Sequence, residues 1–191
     1  MELLKNRIRA EGKVLPGNII KVDGFLNHRV DVKLMREMAK EFARRFDLSG
    51  ITAVVTAEAS GIALATMCAD EYGVPMVFAK KAKSGNLSSD LYISEIQSYT
   101  YNKSVTLVLS KQWLGSSDRV LIVDDFLANG QALRGLFELV QQAGAEVIGV
   151  GVAVEKGFQP GGARLREAGV NLQSLAIIEK ADENGFVFRG E

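Results

Sequence analysis

From residue 51 onward, two patterns of apolar and polar positions alternate along the chain: short apolar runs and longer stretches with helical spacing. Short apolar runs such as ITAVVTA at 51–57, VLIVDD at 120–125 and EVIGVGVAVEK at 146–156 have the length and composition of buried strands. Between them lie longer stretches with helical spacing, and Gly73 and Gly144 mark where two of these helices end. Strands that alternate with helices of ten or more residues are typical of a parallel sheet flanked by helices. We therefore predict an α/β fold.

The first thirty residues depart from this alternation. A helical pattern with a glycine stop is followed by a short strand, IIKV at 19–22, between Pro-Gly and Asp-Gly turns. Asp31 then has the position of an N-cap for the next helix. We predict one domain over residues 1–191, in which residues 1–30 form an N-terminal helix and flap beside a core of residues 31–191.

A third segment also lacks the strand–helix alternation. After the polar stretch KKAKSGNLSSD, the runs LYISEIQSYT at 91–100 and SVTLVLSK at 104–111 alternate as the strands of a hairpin do, with the bend near Tyr101 and Asn102. Because residues 84–102 include a loop rich in Gly, Ser and Asn, this excursion is typical of a flexible cover over a site. A hairpin that extends the edge of the sheet is the alternative, and the two can hold together.

Composition and charge exclude several classes of protein. The 23 basic and 23 acidic residues cancel, which gives no support to nucleic acid as the main partner. A single cysteine, Cys68, and a single histidine, His28, exclude a disulfide framework and zinc sites built from these residues. No apolar run approaches the roughly 20 residues that cross a bilayer, so no membrane partner is expected. The N-terminal pattern contains acids, unlike a signal peptide, and we expect a cytoplasmic enzyme.

The stretch VLIVDDFLANGQAL at 120–133 concentrates the candidate chemistry. Asp124 and Asp125 follow an apolar run where a parallel strand would end, and ligands of open parallel sheets bind beyond the carboxyl ends of the strands. Small or polar residues then lead into a helix whose first turn offers free N–H groups to an anion such as phosphate. Since carboxylates repel phosphate, the two acids suit ribose hydroxyls or a magnesium ion beside it. Two acids alone could also cap a loop, but the combination predicts a sugar-phosphate site.

The same stretch resembles the signature of the type I phosphoribosyltransferases: a four-residue apolar strand, two acids, two apolar residues and a five-residue loop. Members usually carry Thr-Gly-x-Thr in the loop, whereas this chain has NGQA at 129–132, which lacks both hydroxyls. The sequence DDFLANGQA is similar to the xanthine-specific bacterial branch of the family. KVDGFLNH at 21–28, SGIA at 60–63 and VEKGFQPG at 154–161 extend the resemblance over nearly the whole chain.

This resemblance implies a parallel sheet flanked by helices, with the N-terminal flap as a hood, and phosphoribosyl diphosphate as the donor substrate. The ribose diol would bind Asp124 and Asp125, the expected catalytic residues. The 5-phosphate would bind a phosphate loop that consists of Ala128, Asn129, Gly130, Gln131 and Ala132. The diphosphate would bind a diphosphate loop that consists of Glu58, Ala59, Ser60 and Gly61, together with Lys81.

The resemblance also implies a partner and a cofactor. A basic residue at the position of Lys81 commonly reaches the diphosphate of the neighbouring subunit, so a homodimer is expected. A solvated cluster with Lys80 and Lys83 is the simpler interpretation of the same lysines. Mg²⁺ is expected to be carried mainly by the diphosphate, and no residue is assigned as its direct ligand. Glu58 would position its loop or contact the magnesium through water, or be an ordinary surface acid.

Three residues are expected to recognise the base. Lys156 follows a predicted strand, and its ammonium only donates hydrogen bonds, which favours a 6-oxo purine over a 6-amino one. Asn27 in the flap both donates and accepts, which suits the 2-oxo edge of xanthine, and Ile20 would pack against the ring. Without the resemblance, Asn27 would be interpreted as a turn residue and Ile20 as a core residue. The expected reaction is a purine-salvage step that joins xanthine to the phosphoribosyl group and releases diphosphate.

Two alternatives stay open at this point. The acceptor could be mainly guanine or hypoxanthine, which share the 6-oxo group. Alternatively, the chain could be a regulator that senses phosphoribosyl diphosphate on nucleic acid, but it has neither an added helix-turn-helix domain nor a net positive charge. A dinucleotide-binding dehydrogenase is excluded because no G-x-G-x-x-G follows the first core strand.

Overall fold

The chain folds as alternating helices and strands in the computed structural model, which describes residues 1–82, 89–98 and 103–191. In chain order the elements are α1 (Glu2–Glu11), β1 (Lys13–Leu15), β2 (Ile19–Lys21), α2 (Val32–Arg45), β3 (Ala53–Ala57), α3 (Gly61–Tyr72), β4 (Met76–Ala82), β5 (Leu91–Ser98), β6 (Lys103–Ser110), β7 (Arg119–Leu127), α4 (Gln131–Ala143), β8 (Glu146–Lys156), α5 (Gly161–Glu167), β9 (Leu172–Asp182) and β10 (Gly185–Phe188). The predicted α/β fold is thereby confirmed.

One eight-stranded sheet has the order β10-β9-β8-β7-β3-β4-β6-β5. Its five central strands, from β9 to β4, are parallel, and an antiparallel strand or hairpin closes each end. The chain leaves β3 towards β4 on one side and later continues from β7 to β8 and β9 on the other. The strand order therefore reverses between β3 and β7, which is where open parallel sheets bind their ligands.

Two apolar cores lie on the two faces of this sheet. On β7, Leu121 and Val123 belong to the core beneath α1, α2 and α3, whereas Val120 and Ile122 belong to the core beneath α4. A strand buried on both faces has a continuous apolar run and not an alternating one, which explains the sequence of β7. The helices begin where local chemistry predicts: Asp31 accepts hydrogen bonds from the N–H groups of Lys33 and Leu34, both at 3.1 Å.

The hairpin predicted around residues 91–111 is present as β5 and β6. The two strands are antiparallel, from Leu91 opposite Ser110 to Ser98 opposite Lys103, and β6 pairs with β4. The hairpin therefore extends the edge of the sheet. Its predicted bend at residues 101–102 lies outside the described residues, and its function as a cover stays a prediction.

Three features differ from the sequence-based expectations. The flap contains a two-stranded hairpin, β1 and β2, where one strand was expected, and its turn places Gly17 and Asn18 at positive φ. A C-terminal strand, β10, was not expected. Strand β7 continues to Leu127, so both acids lie inside the strand and not beyond its end. Among the described helices, none has both the length and the hydropathy that crossing a membrane requires.

Candidate active site

Three segments meet at the point where the strand order reverses. The diphosphate loop follows β3, the phosphate loop follows β7, and Asn27 of the flap contacts the end of β7. Each loop leads directly into a helix, α3 or α4, whose first N–H groups have no carbonyl partner within the helix. In neither helix does the N-cap side chain accept these hydrogen bonds. The chain therefore presents two helix N-termini, which favour anions, on either side of two acids.

The two acids are buried next to each other on β7. Asp124 is 6% exposed and Asp125 is 4% exposed. Asp125 accepts one hydrogen bond on each oxygen: Asn27 Nδ2 lies 2.8 Å from Oδ2, and Ser60 Oγ lies 2.9 Å from Oδ1. Its own backbone N–H donates to Oδ1 of Asp124 at 2.9 Å. One carboxylate thus joins the flap and the diphosphate loop to the central strand.

The electrostatics of this pair favour a ligand that offers hydroxyl groups or positive charge. Burial raises the pKa of Asp124 well above its ordinary value, and the adjacent Asp125 carboxyl acts in the same direction. The N–H of Asp125 and the ammonium of Lys81 in the same chain oppose this rise. Hydrogen bonds from a diol, or a nearby cation, would relieve the cost of ionising the buried Asp124.

Two glycines, Gly130 and Gly161, permit the backbone conformation and the close packing of the phosphate loop. Gly130 has φ +82°, in the left-handed region, and immediately precedes α4. Gly161, the first residue of α5, donates its N–H to Ala128 O at 3.1 Å. A Cβ at Gly161 would lie 2.3 Å from Ala128 O and 2.9 Å from Gly130 N. The loop is therefore held from behind by α5.

The diphosphate loop is tied to the neighbouring strand by Glu58. Its carboxylate accepts a hydrogen bond from the backbone N–H of Lys81 at 2.6 Å, and the Glu58–Ala59 peptide bond is cis. Only glycine fits at position 61, where α3 begins. A Cβ there would lie 2.2 Å from Thr56 Oγ1 and 2.8 Å from Asp124 Oδ1. Glu58 thus positions its loop, while contact with diphosphate stays a prediction for all four loop residues.

The residues predicted to recognise the base differ in how closely the structure joins them to the acids. Asn27 contacts Asp125 directly. Lys156 ends β8, which pairs with β7 up to the Leu127–Glu155 pair, and partial burial lowers the pKa of its ammonium. Ile20 lies on β2 and is 7% exposed, within the core on the flap side. Lys83 lies outside the described residues.

A magnesium ion fits this site only together with a phosphorylated ligand. Within residues 1–82, 89–98 and 103–191, no three or more His, Cys, Asp or Glu side chains form a group that could hold a metal ion. Mg²⁺ commonly keeps several waters and binds one or two carboxylates plus substrate phosphates. The pair of Asp124 and Asp125 matches that donor set and does not match a cage built by the protein alone.

Known proteins that are similar in sequence identify the family of this chain. The family model described as the phosphoribosyl transferase domain matches residues 22–169. The chain belongs to the phosphoribosyltransferase family. A relative from Lachnoclostridium phytofermentans named xanthine phosphoribosyltransferase is 50% identical over 193 residues and covers 100% of both chains. Another of that name, from Ruminiclostridium cellulolyticum, is 53% identical over 185 residues and covers 97% of each.

Solved structures of phosphoribosyltransferases share the fold. APRTase from Giardia lamblia, complexed with 9-deazaadenine, has a TM-score of 0.75 at 26% identity and covers 93% of this chain and 98% of its own. Adenine phosphoribosyltransferase from Thermoanaerobacter pseudethanolicus has a TM-score of 0.64 at 27% identity, with 77% and 81% covered. The fold is thus shared with proteins named for a different base from the one in the names of the sequence relatives.

Three residues that shape the candidate site were not predicted from the sequence. Thr56 and Gly161 enclose the two loops, and Glu155 is buried beside Lys156. Only Glu155 carries a signal in the sequence, since it is a charged residue at the end of an apolar run. The contact of Gly161 with Ala128 joins segments that are distant along the chain, and the local pattern around Thr56 gives no sign of its close approach to Gly61.

Proposed function

We propose that this phosphoribosyltransferase acts in purine salvage: it transfers the 5-phosphoribosyl group from phosphoribosyl diphosphate to xanthine and releases xanthosine 5′-monophosphate and diphosphate. One structural observation carries the proposal. Asp125 accepts hydrogen bonds from both Asn27 of the flap and Ser60 of the diphosphate loop. A ribose bound at this carboxylate would lie next to the phosphate loop, the diphosphate loop and the flap, and the flap would face the base. Relatives at 50% and 53% identity support xanthine as the acceptor.

The chemistry asks the protein for positioning and electrostatic stabilisation. The bond from the anomeric carbon to a diphosphate oxygen breaks, a bond to a ring nitrogen of xanthine forms, and that nitrogen gives up its proton. Positive charge develops on the ribose ring as diphosphate departs. Asp124 and Asp125 would hold the ring hydroxyls and stabilise this charge, and they would do so strongly because they are buried. No protein nucleophile is required.

Magnesium would enter the site as a complex with the diphosphate. It would neutralise charge on the leaving group, while Asp124 or Asp125 could complete its coordination directly or through water. The helix N-termini behind Ser60 and Gly130 would contribute N–H donors to the two phosphate groups.

Discrimination among bases would rest on Lys156 and Asn27. A partly buried ammonium that only donates disfavours the 6-amino group of adenine, which also donates. One hydrogen of the Asn27 amide is bound to Asp125, which leaves a second hydrogen and the carbonyl oxygen for the base. Ile20 would contribute apolar contact from the flap.

The assembly and location of the enzyme are part of the same proposal. We infer a homodimer in the cytoplasm, in which Lys81 reaches the diphosphate of the neighbouring subunit. Sedimentation equilibrium tests the dimer. Mixing Lys81→Ala and Asp125→Asn proteins under conditions of subunit exchange tests the shared site, because only shared sites would recover activity in the mixture.

A base-panel assay tests the reaction itself. Purified protein with magnesium and phosphoribosyl diphosphate is given xanthine, guanine, hypoxanthine, adenine, uracil or orotate at equal low concentrations, and nucleotide formation is followed. We expect xanthine to react fastest. Preference for guanine or hypoxanthine would retain the transfer mechanism and overturn the functions given to Asn27 and Lys156. Absence of turnover with every base, from protein shown to be folded, would favour a regulator that only binds phosphoribosyl diphosphate.

A further inference from the structure

A buried ion pair lies behind the site. Glu155, near the end of β8, is 2% exposed. Arg166 on α5 donates two hydrogen bonds to it, Nη1 to Oε1 at 2.8 Å and Nη2 to Oε2 at 2.7 Å, and Ser174 on β9 donates a third. Burial acts to raise the pKa of Glu155, but the hydrogen bonds from Arg166 and Ser174 outweigh it and lower the pKa. Both carboxylate oxygens of Glu155 therefore accept hydrogen bonds, one on Oε1 and two on Oε2.

This pair determines where α5 lies. The helix has only 7 residues, too few to be stable without tertiary contacts. Arg166 anchors its last turn to Glu155, and Gly162 permits the close approach, because a Cβ there would lie 2.0 Å from Glu155 Oε1. Buried ion pairs contribute little net stability compared with apolar packing, so a requirement for geometry explains this one better.

The first turn of α5 in turn holds the phosphate loop. Gly161 donates to Ala128 O at 3.1 Å and abuts Gly130, as the contacts of the loop show. On the other side, Lys156 directly follows Glu155 in the chain, and its carbonyl accepts from Gln159 N at 2.9 Å within the turn that leads to α5. The turn therefore begins beside Glu155 in the chain, and it leads into the helix that Arg166 attaches to the same carboxylate.

We propose that Glu155 and Arg166 are positioning residues that hold the phosphate loop and Lys156 in register with each other through α5. This inference rests on the proposed phosphoribosyl transfer, since it concerns the binding of its two substrates. Disengaging the pair displaces the loop backbone and Lys156 together, without touching a group that contacts substrate.

Steady-state kinetics of Glu155→Gln and Arg166→Lys test the proposal. Gln keeps the size of the side chain but loses the charge, and Lys keeps the charge but loses the two-pronged geometry. We expect the KM for phosphoribosyl diphosphate and the KM for the base both to rise, by up to about a hundredfold, because displacements near 1 Å have effects of that order. We therefore expect kcat/KM to fall by a larger factor than kcat.

The matched control breaks an ion pair at the opposite end of the same strand. Glu146→Gln removes the partner of Arg119, whose Nε lies 2.8 Å from Glu146 Oε2, far from the loops along β8. We expect its KM values to stay at the wild-type level. Thermal unfolding of all variants sets an assay temperature at which each is folded, and Arg166→Lys serves if Glu155→Gln does not fold.

A second measurement separates positioning from general loosening. Inhibition by ribose 5-phosphate, which presents only the 5-phosphate and ribose, should weaken in Glu155→Gln by the same factor as the KM for the donor. Adding Gly161→Ala, which displaces the loop directly, should produce less than the product of the two single effects. Unchanged KM and inhibition constants in folded variants, or fully multiplicative effects, would overturn the proposal. Wild-type protein that binds ribose 5-phosphate without turning over any base would instead contradict the proposed function.

Discussion

At the scale of single residues, the site depends on how Asp125 distributes its acceptor capacity. A carboxylate offers about four lone-pair positions, and Asn27 and Ser60 occupy one on each oxygen. Two positions stay available for a diol. Because a carboxylate only accepts, it also determines the orientation of Asn27, whose NH₂ must face Asp125. A base bound beside Asn27, as proposed, would then meet a donor and an acceptor in a defined arrangement.

Asp124→Asn should lower turnover and raise stability. The pKa of Asp124 is raised in the folded protein, so the ionised form at neutral pH costs folding free energy that Asn does not. We expect a gain of roughly 0.5–2 kcal/mol in the free energy of unfolding and a loss of about a hundredfold or more in kcat.

The pH dependence of this variant has a definite sign. Wild-type stability should fall relative to Asp124→Asn as pH rises from the ordinary carboxyl value of 3.8 through the raised value, and below 3.8 the difference should no longer change with pH. Chemical denaturation at several pH values measures it. The exposed Asp70→Asn is the control and should be neutral in both properties. Wild-type turnover in both Asp124→Asn and Asp125→Asn would refute the proposed binding of the diol.

Lys156→Gln should relax the choice of base. The amide of Gln both donates and accepts, so it removes the disadvantage of a 6-amino purine that a donor-only ammonium imposes. We expect the ratio of kcat/KM for xanthine to that for adenine to fall by roughly tenfold or more. Competition assays with paired bases measure the ratio. Lys180→Gln, an exposed lysine on β9, is the control, and unchanged selectivity in Lys156→Gln would contradict the assignment.

At the scale of elements, α4 connects the phosphate loop to the edge hairpin. Gln142 accepts from Ile93 N at 3.1 Å and donates to Ile93 O at 2.7 Å, and Glu138 accepts from Ser94 Oγ at 2.6 Å. The amide of Gln142 therefore replaces a further strand at this edge, which leaves less of β5 open to pairing with another chain. The same helix begins at the phosphate loop.

Gly135→Ala should weaken this contact between α4 and the hairpin. A Cβ at Gly135 would lie 2.7 Å from Ile96 Cγ2 and 2.9 Å from Leu107 Cδ1. Helix propensity alone would favour Ala by about 1 kcal/mol, but overpacking a core typically costs about 1–3 kcal/mol. We expect a net loss of stability in urea denaturation. Gly115→Ala, where a Cβ meets nothing within 4 Å, is the control; equal stability of the two variants would show that the helix shifts without cost.

At the scale of the whole molecule, the order of strands gathers the site from remote segments. Asn27 and Asp125 are 98 residues apart in the chain, and Ser60 and Asp125 are 65 apart. The reversal between β3 and β7 places both loops at one edge of the sheet, and the flap closes against it. The ion pair of Glu155 with Arg166 attaches α5 to β8 of the sheet. Because Glu155 is ionisable, the contribution of this pair to stability depends on pH.

Acid should reduce the difference in stability between the wild type and Glu155→Gln. The pKa of Glu155 is lowered in the folded protein, so its contribution is present above the ordinary value of 4.5 and is lost as pH falls towards the lowered value. The charges that face this carboxyl are Arg166 and Arg189, which stay positive throughout. Urea denaturation at pH 7 and at pH 3 measures the effect, and a difference that grows in acid would contradict it.

Most of the central helices and strands can be predicted from short stretches of the sequence. Continuous apolar runs specify strands buried on both faces and glycines specify helix ends, because these signals act over a few residues. In the same way, Asp124-Asp125 before a small-residue loop predicts a sugar-phosphate site. The strands at both chain ends were less predictable, since β10 and the pairing of β1 with β2 depend on partners and not on local pattern.

Which side chains meet in the candidate site depends on the three-dimensional packing of the elements. The contacts of Asn27 and Ser60 with Asp125, of Glu58 with the N–H of Lys81, and of Arg166 with Glu155 all cross between separate elements. Such contacts follow from the order of strands in the sheet and from the packing of helices on it. Local periodicity contains no information on either, because many strand orders would bury the same apolar faces equally well.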